Sequence, residues 1–318
     1  MDTLPFEAAG LSAGHDREMD AVVGALLGAD PDGSRFARSF RRTMDMLLDG
    51  QNTGRFRWDQ LHKTEKTHAG TLVEINLQRE FNFADGDKMD YRIAGTDVDC
   101  KFSQDLGRWM IPPEAVGHLC LVTWCNDAKG QWSAGLVRVR EHELSAGVNR
   151  DSKRYLTAAG RSSVRWLFHQ ARLPDNALLR LPPNDIDAIF TPKSGQQRIN
   201  ELFRRTLGRP LTRTVIATVA QQRDYMKRVR SDGGARTALA PEGIVILGQY
   251  SWDVDIAAAL GLPLPQRGDS MSVRIAPWVS TDGNVPRVEI ANSWWRQARE
   301  EDPICMAPKL PEKRKPTR

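Results

Sequence analysis

Apolar positions recur at helical spacing in Val22, Val23, Leu26 and Leu27, and again in Phe36, Phe40, Met44, Leu47 and Leu48. They predict two helices within residues 19–49. Pro31-Asp32-Gly33 separates the two, and Asp49-Gly50 ends the second. A polar stretch over 61–68 holds His62, Lys63, Lys66 and His68. Val73, Leu77 and Phe81 then form one stripe of a helix expected over 70–81, and Glu74 and Gln78 lie one turn apart on the neighbouring face. Beyond that helix the period falls to two. Residues 89–93 and 97–102 alternate as strands joined by Ala94-Gly95-Thr96. Such a hairpin turns Val98, Cys100 and Phe102 to one face and Asp99 and Lys101 to the other. Residues 119–124 and 134–139 are the near-continuous apolar runs of buried strands.

The second half is punctuated differently. Leu173-Pro174-Asp175 and Leu181-Pro182-Pro183 mark a linker at 169–182, between a first domain over 1–168 and a second over 183–318. A helix over 196–207 stops at Gly208-Arg209-Pro210, and Thr212 caps another that carries Val215, Ile216 and Val219. Residues 214–219 are β-branched enough that a strand is the other reading. A further helix is expected over 221–230, then Gly233-Gly234 and a strand at Ile244–Leu247. Helix, turn, helix and hairpin is the order of a winged helix-turn-helix. No internal repeat is present, and residues 309–318 form a tail rich in Pro, Lys and Arg.

At 318 residues the chain is long for one core and comfortable for two. No apolar run approaches the roughly 18 residues that span a bilayer. The first residues lack the basic start and apolar stretch of a signal peptide, so no membrane partner and a cytoplasmic location are expected. Cys100, Cys120, Cys125 and Cys305 form no CxxC pair and have no His partners at zinc spacing, which fits a reducing compartment without structural zinc. The net charge of +5 is unevenly spread. Residues 171–318 carry 23 Lys and Arg against 16 Asp and Glu, and eleven of those basic residues fall within 193–236. A folded basic block suits a polyanion, because each phosphate neutralised releases condensed counterions. A solvated basic face is the alternative.

The candidate chemistry lies in Asp99-Cys100-Lys101. Asp90 precedes Asp99 by a hairpin, and Glu74 lies on the helix just upstream. Three carboxylates beside an ammonium group suit phosphodiester hydrolysis: Asp90 and Asp99 supply the main oxygen ligands of Mg²⁺, Glu74 completes the metal site, and Lys101 orients the attacking water. A surface ion pair between Asp99 and Lys101 on an edge strand is the other reading. In the second half, Gln221, Gln222, Arg223, Lys227, Arg228 and Arg230 close the expected helix-turn-helix and have the side chains that read base edges. Arg204, Arg205, Arg209 and Arg213 lie where a phosphate clamp is expected. No aromatic row for stacking single strands is evident, which favours duplex DNA.

This pattern resembles the PD-(D/E)xK nuclease fold. The surrounding stretches resemble the NaeI-like type IIE restriction endonucleases: LHKTEKTHAGTLVEINLQREF, DVDCKFS, PPEAVGHLCLV, AGLVRV, NELFRRTLGR, VIATVAQQRDYMKRVR, GGARTAL and PEGIVILG, in order from about residue 40 to about residue 265. The resemblance implies an α/β nuclease core, with a mixed central sheet flanked by helices, and a second α+β winged-helix effector domain. It implies a Mg²⁺-dependent homodimer that uses two duplex-DNA sites per functional unit. It also implies a GC-rich six-base palindrome, GCCGGC, cut to leave 5′-phosphates. Glu74, Asp90, Asp99 and Lys101 match the family's catalytic set. Met89 stands where the general fold motif has proline.

Two rivals remain, a DNA-binding regulator that has kept a nuclease-like domain and a repair-type nickase. Leu47-Leu48-Asp49-Gly50 resembles the KxDG motif of nucleotidyl-transferring ligases, but that chemistry needs a lysine where Leu47 stands, so neither ligation nor a nucleotide cofactor is expected. His62 and His68 are six apart, a spacing that suits phosphate contacts or plain surface better than metal ligation. Trp294-Trp295 is expected in core or interface packing.

Overall fold

The computed structural model describes residues 16–230 and 232–311, and its chain folds as two compact units. One unit holds the described residues up to Thr43 together with Thr67–Pro174; the other holds Met44–Lys66 and the described residues from Asp175 onward.

The chain opens with α1 (Arg17–Ala29), whose first turn is capped by Asp16 Oδ1 accepting from the Met19 amide at 3.0 Å. Asp30 ends it, and the Asp30 carboxylate accepts from the amides of Arg35 and Phe36 at the start of α2 (Ser34–Leu48). Short helices α3 (Gly50–Thr53) and α4 (Lys63–Thr67) precede α5 (Ala69–Phe81). Strands β1 (Ala84–Asp85), β2 (Tyr91–Ile93), β3 (Thr96–Ser103), β4 (Met110–Ile111), β5 (Leu119–Asn126), β6 (Gln131–Arg138) and β7 (Arg154–Tyr155) follow, then α6 (Ala158–Ser162) and β8 (Arg165–Arg172).

Among the described residues, six strands form one mixed sheet in the order β1-β2-β3-β5-β6-β8, with only β3–β5 parallel. One face buries aromatic rings: Phe36 lies 4.7 Å from Phe81 and 5.9 Å from Trp132 between centroids. The other buries Trp109, Ile111, Cys120, Val122 and Val137. Burial on both faces explains why β5 and β6 read as unbroken apolar runs.

The second unit contains α7 (Pro183–Phe190), α8 (Gly195–Arg205), α9 (Arg213–Ala220), α10 (Ala235–Leu239), β9 (Ile244–Leu247), α11 (Ser251–Ala259), β10 (Met271–Pro277), β11 (Arg287–Ile290) and β12 (Ser293–Gln297). Its antiparallel sheet runs β11-β12-β10-β9. Alternation along β9 sends Ile244 and Ile246 into one core with Ile199, Phe203 and Ile216, and Val245 and Leu247 into another with Ile256, Met271 and Val273. Thr212 caps α9, as its hydroxyl position predicts, by accepting from the Val215 amide. Residues 215–220 are buried all round, so their β-branched composition reflects enclosure and not a strand.

Three expectations differ from the structure. The segment 221–230 is not a helix: it holds one 3-10 turn, Tyr225–Arg228. Gln221 takes left-handed backbone (φ 51), and Arg198 donates to the carbonyls of Val219 (2.7 Å) and Ala220 (2.8 Å), which seals the end of α9. The linker is also shorter than 169–182. Strand β8 runs through Arg172, and Ala177 and Leu178 are buried with Ile199 and Phe203, so the division falls at Pro174. Residues 44–66, expected with the first domain, pack with the second unit instead, where Phe56 stacks on Phe190 at 5.6 Å.

Within that excursion Gly50 lies tight against α9, where a Cβ would sit 2.1 Å from Thr218 Oγ1 and 2.9 Å from the Arg55 carbonyl. Gly50→Ala therefore lowers stability by about 2 kcal/mol, read as an earlier melting transition; an unchanged melting temperature would contradict the close packing. Trp295 packs on the core of Ile256, Met271 and Val273, whereas Trp294 is exposed and shares the Arg287 guanidinium with Trp278. No helix among the described residues is long and apolar enough to cross a membrane.

Candidate active site

The hairpin β2–β3 builds the centre of the site. Ala94 (φ 49) and Gly95 (φ 80) are both left-handed, the two-residue turn whose twist matches paired strands. It fixes the register Ile93↔Thr96, Arg92↔Asp97 and Tyr91↔Val98, so the next residues along, Asp90 and Asp99, come opposite each other on one face. Asp90 Oδ2 accepts from the Cys100 amide at 2.7 Å. Lys101 shares that face and donates from Nζ to Asp99 Oδ1 at 2.6 Å, with Asp90 Oδ2 3.8 Å away. On the other side of β3 the parallel strand β5 sets Cys120 beside Asp99, and the Cys120 thiol donates to Asp99 Oδ2 at 3.6 Å.

Glu74 approaches from α5. The Tyr91 hydroxyl, fully enclosed, donates to the Glu74 main-chain carbonyl at 2.8 Å and ties that helix to the hairpin. The Asp97 carboxylate accepts from the amides of Asp87 (3.1 Å) and Lys88 (2.8 Å), shaping the turn that delivers Asp90. Met89, in the motif's proline position, is half-buried against the apolar face under the site.

Electrostatics here are congested. Burial pushes the Asp99 carboxyl up to about 6, against the pull of Lys101, and the neighbouring Asp90 adds to the rise. Burial also raises Glu74, with the charges of Asp90 and Asp99 adding to it. For Lys101 burial works against the ammonium, yet Asp99 outweighs it and holds Lys101 above the usual lysine range. Lys101 is therefore a cation, a donor and not a base.

The carboxylates do not form the compact three-ligand cluster expected of the sequence. Among the described residues no three His, Cys, Asp or Glu side chains converge to hold a metal. Asp90 and Asp99 are instead bridged by Lys101, and Glu74 stands alongside. That donor set still fits Mg²⁺, which takes one or two carboxylates and completes its shell with water and substrate phosphate. His62 and His68 are exposed. Tyr91, Asp97 and Cys120 are the participants that sequence reasoning missed. Only Asp97 carried a local signal, as a third acidic residue in the hairpin.

The sequence model of the family described as restriction endonuclease NaeI matches residues 20–306. The type II restriction enzyme NaeI of Lentzea aerocolonigenes is 51% identical over 306 residues, covering 94% of this chain and 96% of the relative. The chain belongs to the NaeI restriction endonuclease family. It is accordingly a site-specific deoxyribonuclease.

In this NaeI-family enzyme the basic residues of the second unit divide into two groups. Arg204 pairs with Glu242 (2.7 Å) and Glu201 (2.6 Å), and Arg205 with Asp185 (2.6 Å), so both are engaged within the fold and are not a free clamp. Arg228 donates from Nε to Gln222 Oε1 at 2.6 Å, and Gln221 serves as the left-handed end of α9. Arg209, Arg213, Arg223, Lys227 and Arg230 are exposed and make no ion pair among the described residues. Arg213 and Arg230 line an open cavity of about 530 Å³ together with Arg236, which sequence reasoning passed over. The buried Asp253 carboxylate accepts from Arg236 at 3.2 Å and from the Gly248 amide at 2.9 Å, fixing that third guanidinium.

Proposed function

We propose that this enzyme hydrolyses both strands of duplex DNA with Mg²⁺ at Glu74, Asp90, Asp99 and Lys101. The observation that carries the reading is the Asp90–Lys101–Asp99 bridge on the paired strands β2 and β3. A surface ion pair would be solvated, but the Asp99 side chain is only 7% exposed.

Asp90 and Asp99 would hold Mg²⁺, with Glu74 taking part directly or through water. The ion supplies Lewis-acid stabilisation of charge on the scissile phosphate and lowers the pKa of water. Lys101 donates a hydrogen bond to the attacking water and favours its hydroxide form. Attack at phosphorus breaks the P–O3′ bond, leaving a 5′-phosphate and a 3′-hydroxyl. Asp97 and Tyr91 hold the hairpin and α5 in register while this happens.

As target we propose a GC-rich six-base palindrome, GCCGGC, the site that the resemblance implies, read by a homodimer whose two-fold axis gives one cut per strand. The second unit, which holds Met44–Lys66 and the described residues from Asp175 onward, is proposed as a winged-helix effector domain, and the first unit as the nuclease domain. Supporting it are α8, α9 and the β11–β12 hairpin, whose Ala291-Asn292 turn is left-handed at both residues. Arg213, Arg223, Lys227 and Arg230 are its DNA contacts, and binding a second copy of the site there raises cleavage at the first.

Mapping both 5′ ends after digestion tests this directly. Coincident double-strand breaks at one palindrome are expected, and single-strand nicks or no Mg²⁺-dependent cleavage would overturn it. A one-site plasmid is expected to be cut slowly and rescued by an added cleavage-resistant oligonucleotide carrying the site; equal rates on one-site and two-site DNA would refute the effector role. Arg213→Ala should weaken effector binding and reduce its salt slope by about 1.

A further inference from the structure

Asp90 and Asp99 each have one carboxylate oxygen held from behind by a different chain group. For Asp90 it is the Cys100 main-chain amide, 2.7 Å from Oδ2. For Asp99 it is a side chain on the neighbouring strand, the Cys120 thiol, 3.6 Å from Oδ2. Cys120 is wholly buried, and the parallel pairing of β3 with β5 places it directly across from Asp99. Asp99 Oδ1 is thereby turned to Lys101, 2.6 Å away.

We propose that Cys120 is a positioning residue for the cleavage centre, its S–H holding Asp99 in the rotation that presents Oδ1 to Lys101 and to the bound cation. The inference rests on the reading of Asp99 as a metal ligand. A carboxylate on a strand can turn about its terminal torsion, which is broad and soft. One donor on one oxygen removes that freedom before substrate arrives. Partners of this kind behind metal ligands are worth about 10–100-fold in metal affinity or activity. An apolar side chain of similar size would fill the same space without holding Oδ2.

The test compares Cys120→Ala, Cys120→Val and Cys120→Ser in the full-length protein. Single-turnover cleavage of a duplex bearing the site is measured beside Mg²⁺ affinity by calorimetry and the metal-free melting temperature. Alanine and valine, which cannot donate, are expected to lower the rate and weaken Mg²⁺ binding by about tenfold or more. Serine, which donates, is expected to stay within a few fold of the parent. Valine keeps the comparison available should the alanine variant fail to fold. Equal behaviour of serine and valine would overturn the proposal, as would Mg²⁺ affinity unchanged in all three. Asp99→Asn separates the underlying reading: normal cleavage by that variant removes the role of Asp99, whereas its inactivity beside a fully active Cys120→Val removes only that of Cys120.

Discussion

Lys101→Met is expected to bind duplex DNA within a few fold of the parent and to cut it at least about 10³-fold more slowly. Methionine keeps the length and most of the packing of the aliphatic stem but carries neither charge nor donor. What disappears is the group 2.6 Å from Asp99 and 3.8 Å from Asp90 that is proposed to orient the attacking water. Because Lys101 is held above the ordinary lysine range by Asp99, it is charged throughout the neutral range. Its loss therefore acts on the transition state and not on a titration. Metal-free gel-shift affinity beside single-turnover rates checks the expectation. Cleavage within tenfold of the parent would remove Lys101 from the catalytic set.

Asp99→Asn is expected to abolish cleavage and yet, without Mg²⁺, to raise the melting temperature by a few degrees above neutral pH. The Asp99 carboxyl binds its proton more tightly folded, at about 6, than at its ordinary 3.8. Its contribution to stability is therefore fully present below the ordinary value and is lost as pH rises through about 6. A shift of this size corresponds to about 3 kcal/mol at most, since burial outweighs the Lys101 pairing. Asparagine has no charge to bury, so the gain should be largest near pH 8 and fade toward pH 5. Adding Mg²⁺ should reverse the order, stabilising the parent and leaving the variant unmoved. A melting difference independent of pH would contradict the burial of this charge.

Much of the site was legible because its geometry is local. The hairpin turn at Ala94-Gly95 fixes register over a few residues, and register alone brings Asp90 across from Asp99 and puts Lys101 on their face. The α5 stripe oriented Glu74 in the same way. By contrast, Cys120 reaches Asp99 through a parallel pairing across some twenty residues of sequence, which no short-range pattern encodes. The basic segment 221–230 misled for a related reason. Its composition is helical, but Gln221 turns left-handed where Arg198, from another helix, takes the terminal carbonyls of α9. Likewise, nothing in residues 44–66 announces that Phe56 will stack on Phe190.

The sequence by itself determined the candidate chemistry of this enzyme: the proposed carboxylates and lysine, their order, and the basic second half that suits a polyanion. These follow from residue type and from periods of two and 3.6, which the backbone imposes on any chain. Only the tertiary structure decided how that chemistry is held. Long-range pairing set a buried thiol behind Asp99, beside the bridge that the local hairpin had already made. It also committed Arg204, Arg205 and Arg228 to internal partners while leaving Arg213 and Arg230 open. Burial and charge proximity depend on which distant segments meet, and that is settled only when the whole core closes.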